Sequence, residues 1–267
     1  MLDRKRAEEA FNTYTAKYDQ GNTLIWLKVV HTFKVAENCD RIGMSLRLEG
    51  DDADLAWLVG LLHDFGRFEQ VRRFNTFSDA ASVDHAELGA DLLFHEGFIK
   101  EYVPDNMPEE TLRMLETAIR LHNKLALPEG LDERTQLFCN IIRDADKSDI
   151  FRVITELPLE QRIGSSKNAF TEADEASPEI MERVMEHRCV PRAMKHTRFE
   201  LHISHCCMAF EVVFPESRRI IKEQGFLEKL LLGCDEEGNP MWNEREMAQL
   251  AIVRREIHDA WDSKGLQ

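Results

Sequence analysis

Long apolar runs are missing from this chain of 267 residues. No stretch approaches the ~18 residues that a membrane span needs, so no spanning helix is expected. Basic charge is also short. Lys and Arg number 34 against 49 Asp and Glu, a formal net charge of −15. A nucleic-acid polymer or an anionic membrane surface requires a basic footprint, and this balance argues against both as partners. A small phosphorylated ligand stays open, because a bound metal can supply local positive charge. Cysteine is sparse and unpatterned. Cys39, Cys139, Cys189, Cys206, Cys207 and Cys234 are dispersed and form no disulfide-rich framework. The first nine residues lack the apolar core of a signal peptide. A reduced, soluble, cytoplasmic protein is the expectation.

Strand-like alternation is scarce, and there is no internal repeat or low-complexity tract. Apolar residues instead recur at spacings of three and four, which predicts an all-α chain. Helices are expected over about 4–18 and 24–39, the second capped from Gly21-Asn22-Thr23. Asp51 or Asp52 can cap a third that runs to Phe65 and stops at Gly66. The segment 67–82 is polar and aromatic and reads as a loop. Asp84 starts a helix to about residue 95. Others are expected over 109–123 and, capped by Asp132, over 133–155. Residues 164–177 are polar and turn-rich. Pro178 suits a helix first turn, and helices are expected over 179–187, 198–213, 216–232 and 243–262. Two parts follow: a metal-bearing helical domain over 1–163, with its core at about 22–155, and a helical extension over 164–267.

His63-Asp64 is the most informative pair. It closes the apolar stretch Leu55-Ala56-Trp57-Leu58-Val59-Gly60-Leu61-Leu62. Imidazole and carboxylate together bind divalent cations. The carbonyls at a helix C-terminus carry partial negative charge, which favours a cation there. The dipeptide alone is weak, since chance supplies about 0.7 of them in a chain of this composition. A second, His258-Asp259, sits in a charged helix with no apolar run before it and reads as the chance copy. Context separates the two. His31 comes from the middle of one expected helix and Asp146 from the middle of another, as in metal sites built from facing helices. His85 and His122 stand near helix ends. His202, His205, Cys206 and Cys207 invite comparison with a zinc cluster. Adjacent cysteines on an amphipathic helix are more simply read as buried packing, with no paired Cys-x-x-Cys to accompany them.

The order His31, His63-Asp64, His85, His122, Asp146 resembles the HD-domain metal-dependent phosphohydrolase superfamily of the six-ligand, two-metal type. The resemblance covers about residues 22–155. It is carried by Leu61-Leu62-His63-Asp64-Phe65-Gly66-Arg67-Phe68, by the segment 82–93 and by the segment 142–149. It implies an HD-domain helical bundle in which His31, His63, Asp64 and Asp146 hold one ion. His85 and His122 would hold a second ion, with Asp64 bridging. Among Asp144, Asp146 and Asp149, the family pattern places the ligand before the Lys, which selects Asp146. Asp149 shares that face and can orient water or substrate.

The chemistry implied is hydrolysis of a small phosphate ester, a nucleotide or a phosphomonoester or phosphodiester, by metal-activated water. One or two ions of Mn, Mg, Fe, Co, Ni or Zn would serve. Asp64 would be central. Arg67 and Lys147 are candidate catalytic cations, and Lys124 is a weaker one; ordinary solvated charge is the competing reading for each. Glu69 can be a proton shuttle or a surface carboxylate, and the loop 72–82 can line a pocket. The Gly-Tyr-Pro signature of cyclic-dinucleotide members is absent after His122, where Asn123-Lys124-Leu125 stands. The same ligands also suit a di-iron oxygenase of the HD type, and a nucleotide-binding sensor module is a third class. The apolar helical faces of the extension can cover the metal domain or a partner subunit, so a homo-oligomer is an open alternative.

Overall fold

The computed structural model describes residues 2–156, 173–235 and 237–263. The described residues are all-α. They contain no strand, only an isolated antiparallel bridge between Cys234 and Pro240. Two compact units divide between Asp146 and Lys147. The boundary expected at 163/164 lies outside the described residues.

The first unit contains α1 (Arg4–Thr15), α2 (Thr23–Ser45), α3 (Asp51–Leu62), α4 (Phe65–Phe74), α5 (His85–Ala90), α6 (Glu109–Leu121) and the first part of α7 (Glu133–Glu156). Short polar side chains start four of them. Asp3, Asn22, Asp84 and Asp132 accept hydrogen bonds from the otherwise unpaired N–H groups of the first turns. α3 is apolar all round, and every residue from Leu55 to Leu62 is buried. A helix of that kind has no solvent face and must be enclosed. It packs along α2 with almost no spacing. A Cβ on Gly60 would lie 2.7 Å from Ala36 Cα. α6 is amphipathic instead, burying Thr111, Met114, Leu115, Ala118 and Ile119.

The region after α3 differs from expectation in an instructive way. The chain breaks at His63 and Asp64, and α4 begins at once. Gly66 is therefore not a helix stop but part of the first turn of α4. A Cβ there would lie 2.3 Å from His85 O and 2.5 Å from Gly89 N. Glycine is required by the close approach of α4 to α5 and not by a left-handed turn. The expected loop over 67–82 is correspondingly helical as far as Phe74. Phe65, Phe68 and Val71 make its buried stripe, but Glu69 and Gln70 are buried beside them, which breaks the apolar period. Asn75, left-handed at φ 49°, ends the helix. Asp84 caps α5 as expected, and a π-helical turn over Asp91–His95 extends it.

The second unit comprises the end of α7 with α8 (Pro178–Met185), α9 (Arg198–Cys207), α10 (Pro215–Gln224), α11 (Phe226–Leu232) and α12 (Glu244–Ser263). They share a core that includes Phe151, Ile180, Phe199, Leu230, Val253 and Trp261. Thr197 and Glu200 form a reciprocal capping box at the start of α9. The helix expected over 216–232 is two helices, split by Gly225 at φ 72°. Cys206 and Cys207 lie in the core, and His202 Nε2 donates to Leu230 O at 2.9 Å.

Candidate metal centre

Six helices, together with the breaks at their ends, bring the six expected ligands together. His31 projects from mid-α2. His63 ends α3, Asp64 precedes α4, His85 opens α5, His122 ends α6 and Asp146 comes from α7. All are buried except Asp146, which is partly exposed. The two oxygens of Asp64 face different partners. Oδ2 lies 3.6 Å from His31 Nε2 and 3.4 Å from His63 Nε2. Oδ1 lies 3.4 Å from His85 Nε2 and 3.9 Å from His122 Nε2. Asp146 Oδ1 is 3.1 Å from His31 Nε2 and 3.8 Å from His63 Nε2. Three overlapping triads result among the six, His31–His63–Asp64, Asp64–His85–His122 and His63–His122–Asp146, each with candidate ligand atoms within 4.8 Å of one another.

The protons on the imidazoles show what the cluster can hold. His63 Nδ1 donates to Gly60 O and His122 Nδ1 to Ile119 O, both at 2.7 Å. His85 Nδ1 donates to Asp79 Oδ2, also at 2.7 Å. Carbonyls and carboxylates only accept, so each neutral ring turns an Nε2 lone pair inward. His85 Nε2 and His122 Nε2 then stand 3.1 Å apart, lone pair against lone pair. Burial pushes the His122 pKa down to about 3, helped by His85 and His63. Burial and Arg67 also lower that of His85. A proton is therefore not the natural partner for these nitrogens at neutral pH, whereas a cation is. His63 Nε2 is likewise buried without a hydrogen bond. Both carboxylates stay ionised. Burial acts to raise the Asp64 pKa, but the charges of Lys28 and Arg67 outweigh it and hold it well below the carboxylate range. At Asp146 the hydrogen bond and charge of His31 outweigh burial in the same sense. Imidazole nitrogens with ionised carboxylates are a fitting donor set for borderline divalent ions.

A second ring of residues steers the ligands. Asp79 anchors His85 and also accepts from Arg67 Nη1 at 2.8 Å and from Gln70 at 2.9 Å. Such carboxylate–histidine contacts fix ring orientation. Arg67 also donates to Phe77 O, and its Nε lies 3.5 Å from Asp64 Oδ1, buried and without a hydrogen bond. Neither Asp79 nor Lys28 is singled out by sequence. The Lys28 Nζ lies 2.5 Å from Asp64 Oδ2. The only trace of it in the sequence is its place one helical turn before His31. Other candidates have different partners. Lys147 is buried and pairs with Glu211 at 3.3 Å. Asp149 is held by Arg152 at 2.8 and 2.7 Å. Lys124 pairs with Asp84 at 2.6 Å. Glu69 is buried between Arg72 and Arg73.

Comparison with curated proteins and with solved structures gives no match. Residues 29–150 match the family model described as HD domain, a span that contains all six ligands and begins just after Lys28. That stretch is similar to the HD domain, and the all-α fold and the His–Asp cluster agree with the similarity.

Proposed function

We propose that this protein hydrolyses a small phosphate ester, with His31, His63, Asp64 and Asp146 holding one divalent ion and His85, His122 and Asp64 a second. The observation that carries this reading is the division of Asp64, whose two oxygens each face a different pair of imidazoles. Divalent ions held there would supply an activated water and a Lewis acid for phosphoryl oxygens. The side chains supply the rest. Asp64 and Asp146 are held ionised, and His63, His85 and His122 are locked in one tautomer, so the ligands need no rearrangement. Arg67 has an unused N–H beside Asp64, in place to meet a substrate oxygen. Phe77 packs on the Arg67 guanidinium at 5.5 Å and helps keep water from it.

The test is metal analysis of the purified protein together with phosphate release from a panel of nucleotides and phosphomonoesters, supplied with Mn, Mg, Co or Fe. Release that disappears in Asp64→Asn and Asp146→Asn supports the proposal. Two bound irons with O2-dependent turnover and no phosphate release would replace it with an oxygenase. One tightly held ion without turnover would replace it with a sensor.

A further inference from the structure

We infer that Lys28 is an anion-binding residue of this centre, forming with Arg67 a two-cation cradle for the phosphate group of the substrate. This inference rests on the phosphate-ester reading above. Lys28 is buried, with 6 % of its surface exposed. Its ammonium lies 2.5 Å from Asp64 Oδ2, while Arg67 Nε lies 3.5 Å from Oδ1. The two cations thus flank one carboxylate. Both also lie against one aromatic ring, at 5.6 Å and 5.5 Å from the Phe77 ring centre.

Charge explains why this is more than a structural pair. Asp64, Asp79 and Asp146 bring three negative charges to the centre, and Lys28 and Arg67 bring two positive ones. A single divalent ion already turns the sum positive, and a second makes it strongly so. Like charges at these separations repel in a buried site. If Lys28 only filled space, a neutral side chain of similar length would favour ion binding more. An ammonium here becomes favourable once a multiply charged anion arrives, and a phosphate group has that charge and the oxygens to accept from both cations. Arg67 Nε has a hydrogen-bond donor to spare. Lys28 is a compact ammonium that can turn from Asp64 to a ligand oxygen.

The experiment uses the full chain loaded with Mn, with inorganic phosphate as the probe. Calorimetry gives the phosphate Kd for wild type, Lys28→Gln, Lys28→Met and Lys28→Arg, and elemental analysis gives the ion content of each. A lost charge-assisted hydrogen bond weakens binding about 10- to 100-fold. That loss is expected in the Gln and Met variants with ion content unchanged, while Arg, bulkier but still charged, retains more of the binding than either. With a turned-over ester, KM should rise more than kcat falls. Phosphate binding as in wild type in both neutral variants, or ion loss with phosphate affinity per loaded site unchanged, would overturn the inference and leave hydrolysis standing. Lys28-dependent phosphate binding without any ester turnover would sink hydrolysis and leave the inference standing. A loaded wild type that binds no phosphate would overturn both.

Discussion

Asp64 is central to the candidate centre at the residue scale, because it alone belongs to both the His31–His63 triad and the His85–His122 triad. Asp64→Asn keeps its shape and removes its charge. The expected result is loss of both ions and a fall in phosphate release of at least ~1000-fold, read by elemental analysis and assay; a variant that keeps two ions would show that Asp64 does not bridge. Asp79 acts one step out, through His85. Asp79→Asn is expected to weaken ion affinity by about 10- to 100-fold, and only for the ion held by His85 and His122. Titration with metal should then show one intact and one weakened step. That the six candidate ligands gather in one place was legible in the sequence, because their types are rare on apolar helices and their order is distinctive. Lys28 and Asp79 were not. A charged residue in a one-dimensional sequence reads as solvated by default, and only the approach of α2 and of the 75–84 segment to Asp64 makes these two part of a site.

Among the elements, the join between α3 and α4 matters most. His63 and Asp64 occupy the break between two helices, so their side chains escape the ~100° divergence of neighbouring helix positions. α4 must then lie close enough to α5 for His85 to reach Asp64, and Gly66 and Gly89 permit this. A Cβ on Gly89 would lie 2.8 Å from Gly66 N. Gly66→Ala therefore drives a methyl into backbone that cannot turn aside, unlike a flexible side chain. Destabilisation of about 3 kcal/mol is expected, measured from urea unfolding, together with loss of the ion held by His85. Unchanged stability and ion content in Gly66→Ala would contradict this account of the join. Helix existence and caps were readable here from periodicity and from Asn22, Asp84 and Asp132. The position of the break was not. Two signals misled in the same direction: glycine after an apolar helix usually marks its end, and the buried Glu69 and Gln70 hide the stripe of α4.

For the molecule as a whole, ion binding is expected to be coupled to folding, but not evenly along the chain. Every group of described residues able to hold an ion lies in the first unit, on elements contributed from α2 through α7. Without an ion these elements must keep inward lone pairs and ionised carboxylates close together in a buried place, which is costly. An ion that binds only the folded state adds stability by mass action, about 2.7 kcal/mol at a concentration 100 times its Kd. Chelation is therefore expected to lower the melting temperature, by about 5–10 °C per ion for a chain of this size, and added Mn or Mg should restore it. Hydrogen exchange would localise the effect. Amides of α2, α3, α5 and α6 should lose protection on chelation, whereas those of α9, α11 and α12, packed on Phe199, Leu230 and Val253, should change far less. Equal loss in both units would mean that the second unit depends on the metal centre for its fold. A melting temperature indifferent to chelator, in protein shown to have released its ions, would remove the energetic basis for treating the His–Asp cluster as a metal site.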